Sequence, residues 1–435
     1  MRMARFLVAL GAVMAAAHAS ALQPLEEFLR GARASGADDA EARALHRQAG
    51  ADAQGALGRA LPRLSLRGTY TRNQYETDVD LPAAGGGTPA TVTITPKGQL
   101  DGSATLDVPL VNLATFAGIA AARTGARAAG IAAAATDLRV QAQVAQDYYQ
   151  LVANVSLVGS SKRALEVARA SLQTAERLHA AGSVPLLDVD RAGGEVERDV
   201  QQVAAAELQV ALVARALASA SGVTPELDRE VTLADDLHEE PPLERFQPPD
   251  DHLPSLAAAI ERRVSAEQLA TAQRLALVPS LSASITERGT NATGFSGREF
   301  YWQGVVALTW SFDLTTVANI RSQDAAADAA RAREQRARLA ARDDIHATWR
   351  TVATDIARSR SARVQAQVNA RAAQLALERY QAGTATQLDL LQAQRDAFAA
   401  DAGRIQADAD LVNARAQLRI AAGVSLLEPR AEVAP

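Results

Sequence analysis

The stretch Tyr380-Gln381-Ala382-Gly383-Thr384-Ala385-Thr386-Gln387-Leu388-Asp389-Leu390-Leu391 has an imperfect copy upstream: Leu178-His179-Ala180-Ala181-Gly182-Ser183-Val184-Pro185-Leu186-Leu187-Asp188-Val189. In both, a run of helix formers meets a glycine, and an aspartate follows at the same spacing. Gly222 follows Asp188 at the spacing at which Gly423 follows Asp389, so three landmarks share one offset. Repetition at a fixed offset marks a duplicated structural unit. Glycine accepts the positive φ that ends a helix, and an acidic side chain in the next first turn complements the helix dipole. Each stretch is therefore read as a sharp reversal between two helices.

Outward from the reversals the helices are long. Downstream, Val189, Val196, Val203, Val210 and Leu217 recur in heptads, as do Leu391, Phe398, Ile405 and Val412. Sustained heptads imply left-handed supercoiling against neighbours. Upstream there is no proline from about Leu113 to Ala181 or from about Thr315 to Ala382, so each span predicts one helix of roughly 70 residues, about 100 Å long. A compact globular domain cannot bury such a rod. An antiparallel coiled coil folding back on itself would explain the seams but not what precedes them.

What precedes each long helix is alternation. A helical segment from about Asp38 to Ala60 stops near Pro62, since the residue before proline avoids helix. Leu64, Leu66, Gly68 and Tyr70 then alternate with Ser65, Arg67, Thr69 and Thr71. A polar loop containing Gly85-Gly86-Gly87 leads to a return strand with Leu100, Gly102, Ala104, Leu106, Val108 and Leu110 against Asp101, Ser103, Thr105 and Asp107. The second copy has Leu281, Ala283 and Ile285 against Ser282, Ser284 and Thr286. It returns through Phe300, Trp302, Gly304, Val306, Leu308, Trp310 and Phe312, about 13 residues against the ~9 to 11 of a tilted transmembrane strand. A soluble sheet with one buried face fits the alternation equally well. The chain divides into a signal peptide at 1–21, a first repeat at 22–222 with its hairpin at 62–110, and a linker or equatorial segment at 223–254, rich in acid and proline over 235–254. A second repeat at 255–423 with its hairpin at 278–313 and a tail at 424–435 complete it.

Composition narrows the function. Aromatics are only 4% of residues, and 45 basic against 50 acidic residues leave no field to gather nucleic acid, so no nucleic-acid partner is expected. The absence of cysteine removes disulfides, thiolate metal sites, cysteine nucleophiles and a lipidated cysteine anchor. Met1 to Arg5 carry two arginines, Phe6 to Ala17 are apolar, and Ala19-Ser20-Ala21 offers small residues for cleavage, the order of a secretory signal. No later stretch is expected to cross a bilayer as a helix. The six histidines show no metal-ligand spacing, and His238-Glu239-Glu240 runs into Pro241-Pro242, which excludes a helical zinc-protease motif. No catalytic constellation, cofactor or metal is expected.

The two reversal motifs, the duplication, the strands after proline, and the closing Ala-Ser-Gly-Val and Ala-Ala-Gly-Val segments resemble the TolC-like outer-membrane efflux family across nearly all of the chain after the signal. The second motif is the more typical of the two. The resemblance implies a mainly α fold with a small β part. Long coiled-coil helices form a trimeric α-barrel in the periplasm, and each protomer gives four strands to a twelve-stranded transmembrane β-barrel in the outer membrane. A four-stranded sheet cannot close in lipid without borrowing strands, so a membrane location itself demands a homo-oligomer. Tyr70, Tyr75, Tyr301, Trp302 and Trp310 would then supply aromatics at the membrane interface.

The resemblance also implies docking of a periplasmic adaptor of an inner-membrane pump on the reversals, Gly182-Ser183-Val184-Pro185 and Gly383-Thr384-Ala385-Thr386. It makes Asp389, Asp188 and Asp190 candidates for a carboxylate ring at the tunnel's closed end, favouring cations. Gln392 stands where the family's second acidic residue is typical, so the ring is less acidic, and Pro185 is a further departure. The function implied is the passive outer-membrane channel of a tripartite efflux or type I secretion system. The competing function is a soluble periplasmic coiled-coil scaffold without a pore.

Overall fold

In the computed structural model the described residues are 22–81, 90–227, 233 and 235–428. The expected signal peptide, Gly85-Gly86-Gly87 and the tail beyond 428 lie outside them. The chain forms two compact units, one of Ala42–Ala134 with Asp250–Ala340 and one of Met1–Glu41, Ala135–Pro249 and Ala341–Pro435.

The first of these holds the sheet. A helix α2 (Ala37–Gly58) leads into β1 (Arg63–Arg72), β2 (Thr77–Leu81), β3 (Ala90–Thr95) and β4 (Gly98–Val111). After α5 (Pro254–Leu275) come β5 (Ser280–Thr290) and β6 (Phe300–Thr309). The antiparallel order is β1-β4-β5-β6, so the hairpins of the two repeats pair side by side through β4 and β5. Two differences from the alternation pattern stand out. The polar loop of the first hairpin carries an extra two-stranded ribbon, β2 with β3. And β6 stops at Thr309, short of the span that alternation implies, leaving Trp310 to donate its Nε1–H to the Leu277 carbonyl at 3.1 Å. That side chain ties the strand's end to the turn before β5, and the next register partner would be Pro279, which has no N–H to offer the ladder.

The second unit is helical: α1 (Leu25–Ser35), the distal part of α3 (Leu113–Ala180), α4 (Leu186–Ser221), the distal part of α6 (Leu314–Gln381) and α7 (Gln387–Ala421). Both proline-free spans are single 68-residue helices. Every heptad position named above is buried or half-buried. Phe28, Leu29, Val144, Leu151 and Leu217 make the largest core cluster, while Val352, Ile356, Leu411 and Leu418 join α6 to α7. α4 is long and apolar enough to cross a membrane by length and composition, contrary to the sequence expectation. Alanine and valine at and around its seam raise its hydropathy, and only 11% of the apolar window is buried within the protomer. The segment after residue 234 is no free connector. Leu237 and Phe246 pack on the α6–α7 cluster, Trp349 donates to the Pro241 carbonyl at 2.9 Å, and Arg415, 7% exposed, pairs with Asp235 at 2.9 Å and with Glu240.

Candidate functional site: a two-faced sheet and two helix reversals

Register turns alternation into surfaces. Cross-strand rows Leu64–Leu106–Ile285–Gly304 and Leu66–Ala104–Glu287–Trp302 place mainly apolar residues on one face, with the exposed Glu287 among them. Tyr70, Leu100, Phe300, Val306 and Leu308 continue that face, and Leu66, Trp302, Val306 and Leu308 are each at least 70% exposed. The other face carries Arg63, Ser65, Arg67, Asp101, Ser103, Thr105, Asp107, Thr286, Arg288 and Gln303. On it, the Thr105 and Thr286 hydroxyls meet at 3.0 Å, and Arg63–Asp107 and Arg288–Asp101 approach to 3.6 and 3.5 Å.

A greasy exposed face backed by a polar one, with β1 and β6 as edge strands in the described sheet, is how a barrel wall looks before closure. Of the aromatics singled out from sequence, Tyr70 and Trp302 lie on the apolar face, and Tyr301 on the polar one opposite Arg288. Tyr75 follows β1 and is exposed.

The reversals show why the glycines recur. Gly182 and Gly383 have φ of 75° and 71° with open space around them, so backbone conformation and not crowding demands glycine. At each, two hydrogen bonds close the helix end: Ser183 N–H to Leu178 O and Gly182 N–H to His179 O, then Thr384 N–H to Arg379 O and Gly383 N–H to Tyr380 O.

The restarts differ. Thr386 and Asp389 form a capping box, the hydroxyl accepting from Asp389 N–H at 3.2 Å while Asp389 Oδ2 accepts from Thr386 N–H at 3.0 Å and its hydroxyl at 2.7 Å. Those bonds hold the exposed Asp389 carboxyl below its ordinary range. The first restart uses Pro185 without a side-chain cap, and His179 Nδ1 lies 2.9 Å from the Val184 carbonyl. Asp188 is half-buried with Arg191 at 3.6 Å, Asp190 is exposed, and Gln392 donates to Asp396 at 3.2 Å. Burial and, less strongly, Asp188 push the Tyr380 hydroxyl up.

A few turns beyond the restarts lies an ion pair that no motif advertised. Glu195 of α4, 3% exposed, takes Arg395 of α7 through two nitrogens, at 2.6 and 3.0 Å, and also pairs with Arg198. Asp199 is buried beside them, and burial, then Glu195, raises its carboxyl. Histidine spacing gave no sign, either, that Asp235, Asp236 and His238 lie together with ligand atoms within 4.8 Å. Arg415 sits on that cluster, donating to Asp235 and to the His238 carbonyl, so a guanidinium takes the place a cation would need.

These elements, a sheet built for lipid on one side and water on the other in a chain of very long helices, define a class of outer-membrane channel proteins. The chain belongs to the outer membrane efflux protein family, whose model matches residues 29–223 and 251–424. Its place is the outer membrane and its work is efflux, in a family of channels and not of enzymes; the soluble scaffold is not favoured.

Among solved structures, CusC channel structures superpose with a TM-score of 0.79 at 17% identity, covering 92% of each chain. The Campylobacter jejuni CmeC outer membrane channel gives 0.79 at 19% identity, over 92% of this chain and 86% of that one. Vibrio cholerae VceC gives 0.77 at 18% identity, over 93% and 97%. At such identities the likeness is one of fold. No curated protein matches the chain.

Proposed function

We propose that three copies of this chain close a twelve-stranded barrel through outer-membrane lipid. The helices continue it as a periplasmic tunnel that passively conducts cargo from an inner-membrane pump and its adaptor, in tripartite efflux or type I secretion. The observation that carries the proposal is the two-faced sheet with an edge strand on each side. Unpaired strand edges are too costly in hydrocarbon, and four strands are too few to enclose water, so the edges must be met by copies. Head-to-tail closure joins β6 of one copy to β1 of the next. Tyr70, Tyr75, Trp302 and Trp310 then sit at the membrane interfaces, with Tyr301 turned to the lumen.

The reversals Gly182 to Pro185 and Gly383 to Thr386 form the adaptor-docking tip. Asp389, kept ionised by its cap, with Asp188 and Asp190 forms the ring that favours cations, weakened by Gln392. The repeats at 22–222 and 255–423 act as two halves of one wall.

The test is to express the chain with its signal segment, separate outer membranes and record purified protein in planar bilayers, wild type beside Asp389→Ala. Cation-selective steps that lose selectivity in the variant support both conduit and ring. Unchanged selectivity keeps the conduit and discards Asp389. Recovery only in the aqueous fraction, with no conductance, sinks the proposal.

A further inference from the structure

The polar face of the sheet is unevenly charged, and its register locates the excess. Across the four strands three arginines, Arg63, Arg67 and Arg288, share that face with two aspartates, Asp101 and Asp107. Arg63 is matched by Asp107 in its own row, and Arg288 by Asp101 one row away. Arg67 is exposed and has no ion-pair partner among the described residues.

The row through it reads Arg67–Ser103–Arg288–Tyr301. It presents guanidinium, hydroxyl, guanidinium and phenol, all able to donate, with no carboxylate in the row. β1 and β5 are two strand spacings apart, about 10 Å, so the two arginines rise from positions about one Debye length apart at 0.1 M salt. Arginine keeps its charge at any working pH, and its planar fork matches phosphate and carboxylate oxygens. Asp101, one row away, faces Arg288 at 3.5 Å and accepts from Gln99 at 2.8 Å, so it offsets part of one charge and leaves Arg67 unanswered.

We propose that Arg67 and Arg288 form a basic collar on the inner wall of the barrel that holds small multivalent anions carrying phosphate or several carboxylates. The collar rests on the channel reading above, in which the polar face lines the lumen and three copies bring six guanidinium groups to the same part of the wall. It lies in the β part of the conduit, remote in sequence from the acidic reversals, so the conduit carries opposite charge preferences in its two parts.

The test is current block in planar bilayers by inositol hexakisphosphate added from the barrel side of oriented channels. Wild type is compared with the double variant Arg67→Gln/Arg288→Gln and with Arg63→Gln, which removes the same kind of charge from a different row. Block that weakens about tenfold in the double variant, and by less than about twofold in Arg63→Gln, is the expected result. It should also weaken steeply with added salt, because the contact is between exposed charges.

Wild-type channels that conduct but are not blocked overturn the collar, as does equal block in the double variant. Equal loss in Arg63→Gln and the double variant overturns it as a located site. Wild-type protein that never conducts removes the channel reading and the collar with it, a failure distinct from the other three. Migration of the double variant as the wild-type oligomer on native gels shows that lost block is not lost fold.

Discussion

The two reversals carry the same glycine and the same aspartate at matching places in the two repeats, yet they are finished by different chemistry. At Gly383 the next helix is started by a reciprocal capping box, in which Asp389 serves the backbone of its own first turn. At Gly182 the next helix starts from Pro185, whose fixed φ does part of a cap's work without a hydrogen bond, and Asp188 is left to face Arg191 and Tyr380. Duplication thus preserved what the backbone requires, a positive φ at one residue, and let the side chains around it diverge. An aspartate in the matching position is consequently no proof of a matching role.

Breaking what the two halves share gives the largest effect. Replacing Arg395 with methionine leaves Glu195 buried with only Arg198 to answer it, and a stranded buried charge costs several kcal/mol. Because the Arg395 side chain is itself 43% exposed, about 2 kcal/mol is expected, read as a lower thermal midpoint of the purified oligomer. An unchanged midpoint would mean that Arg198 alone satisfies Glu195.

Next come the glycines. Gly182→Val and Gly383→Val each force a β-branched residue to positive φ, costing about 1–3 kcal/mol, and the two should be equal because both sites are otherwise open. Hydrogen exchange across the reversals measures this. A large inequality would mean that one turn is held from outside the protomer.

How much of this is readable from the sequence follows the reach of the forces involved. The long helices, the four strands and the reversals are visible because period, proline and glycine act within a few residues. The β2–β3 ribbon is hidden because Thr77-Asp78-Val79-Asp80-Leu81 looks like polar loop, and only Thr91, Val92 and Thr93 opposite turn it into a strand. Alternation counts Trp310 into a strand, but its register partner would be Pro279, which has no N–H for the ladder, and its indole donates to a carbonyl 33 residues away. Glu195 with Arg395, and Arg415 with Asp235 and Glu240, are partners 200, 180 and 175 residues apart, and no local pattern encodes them. The acids and prolines of the linker suggest a solvated segment, when those acids are what Arg415 grips. At the candidate gate, spacing locates the aspartates but not their hydrogen bonds, which decide whether a carboxylate is free to meet cargo.

The finer difference between the reversals should surface in two smaller effects. Thr386→Val removes the hydroxyl that both accepts from and donates to Asp389, at a cost of about 1 kcal/mol to the start of α7, while Ser183→Ala, whose side chain caps nothing among the described residues, should cost far less. The smallest effect is one of acidity. The folded Asp389 carboxyl is depressed relative to the unfolded chain by the bonds from Thr386, so its contribution is fully present above the unfolded value and is lost as pH falls through the folded one. The first turn of α7 should therefore keep its protection from pH 7 down to about 4, the ordinary carboxylate range, and loosen only below it. Amide exchange of Leu388 to Leu390 along an acid titration, wild type against Asp389→Asn, reads this directly. The variant should start less protected and show no such acid step. If both titrate alike, another group holds the second reversal, and the contrast between a capped and an uncapped restart fails.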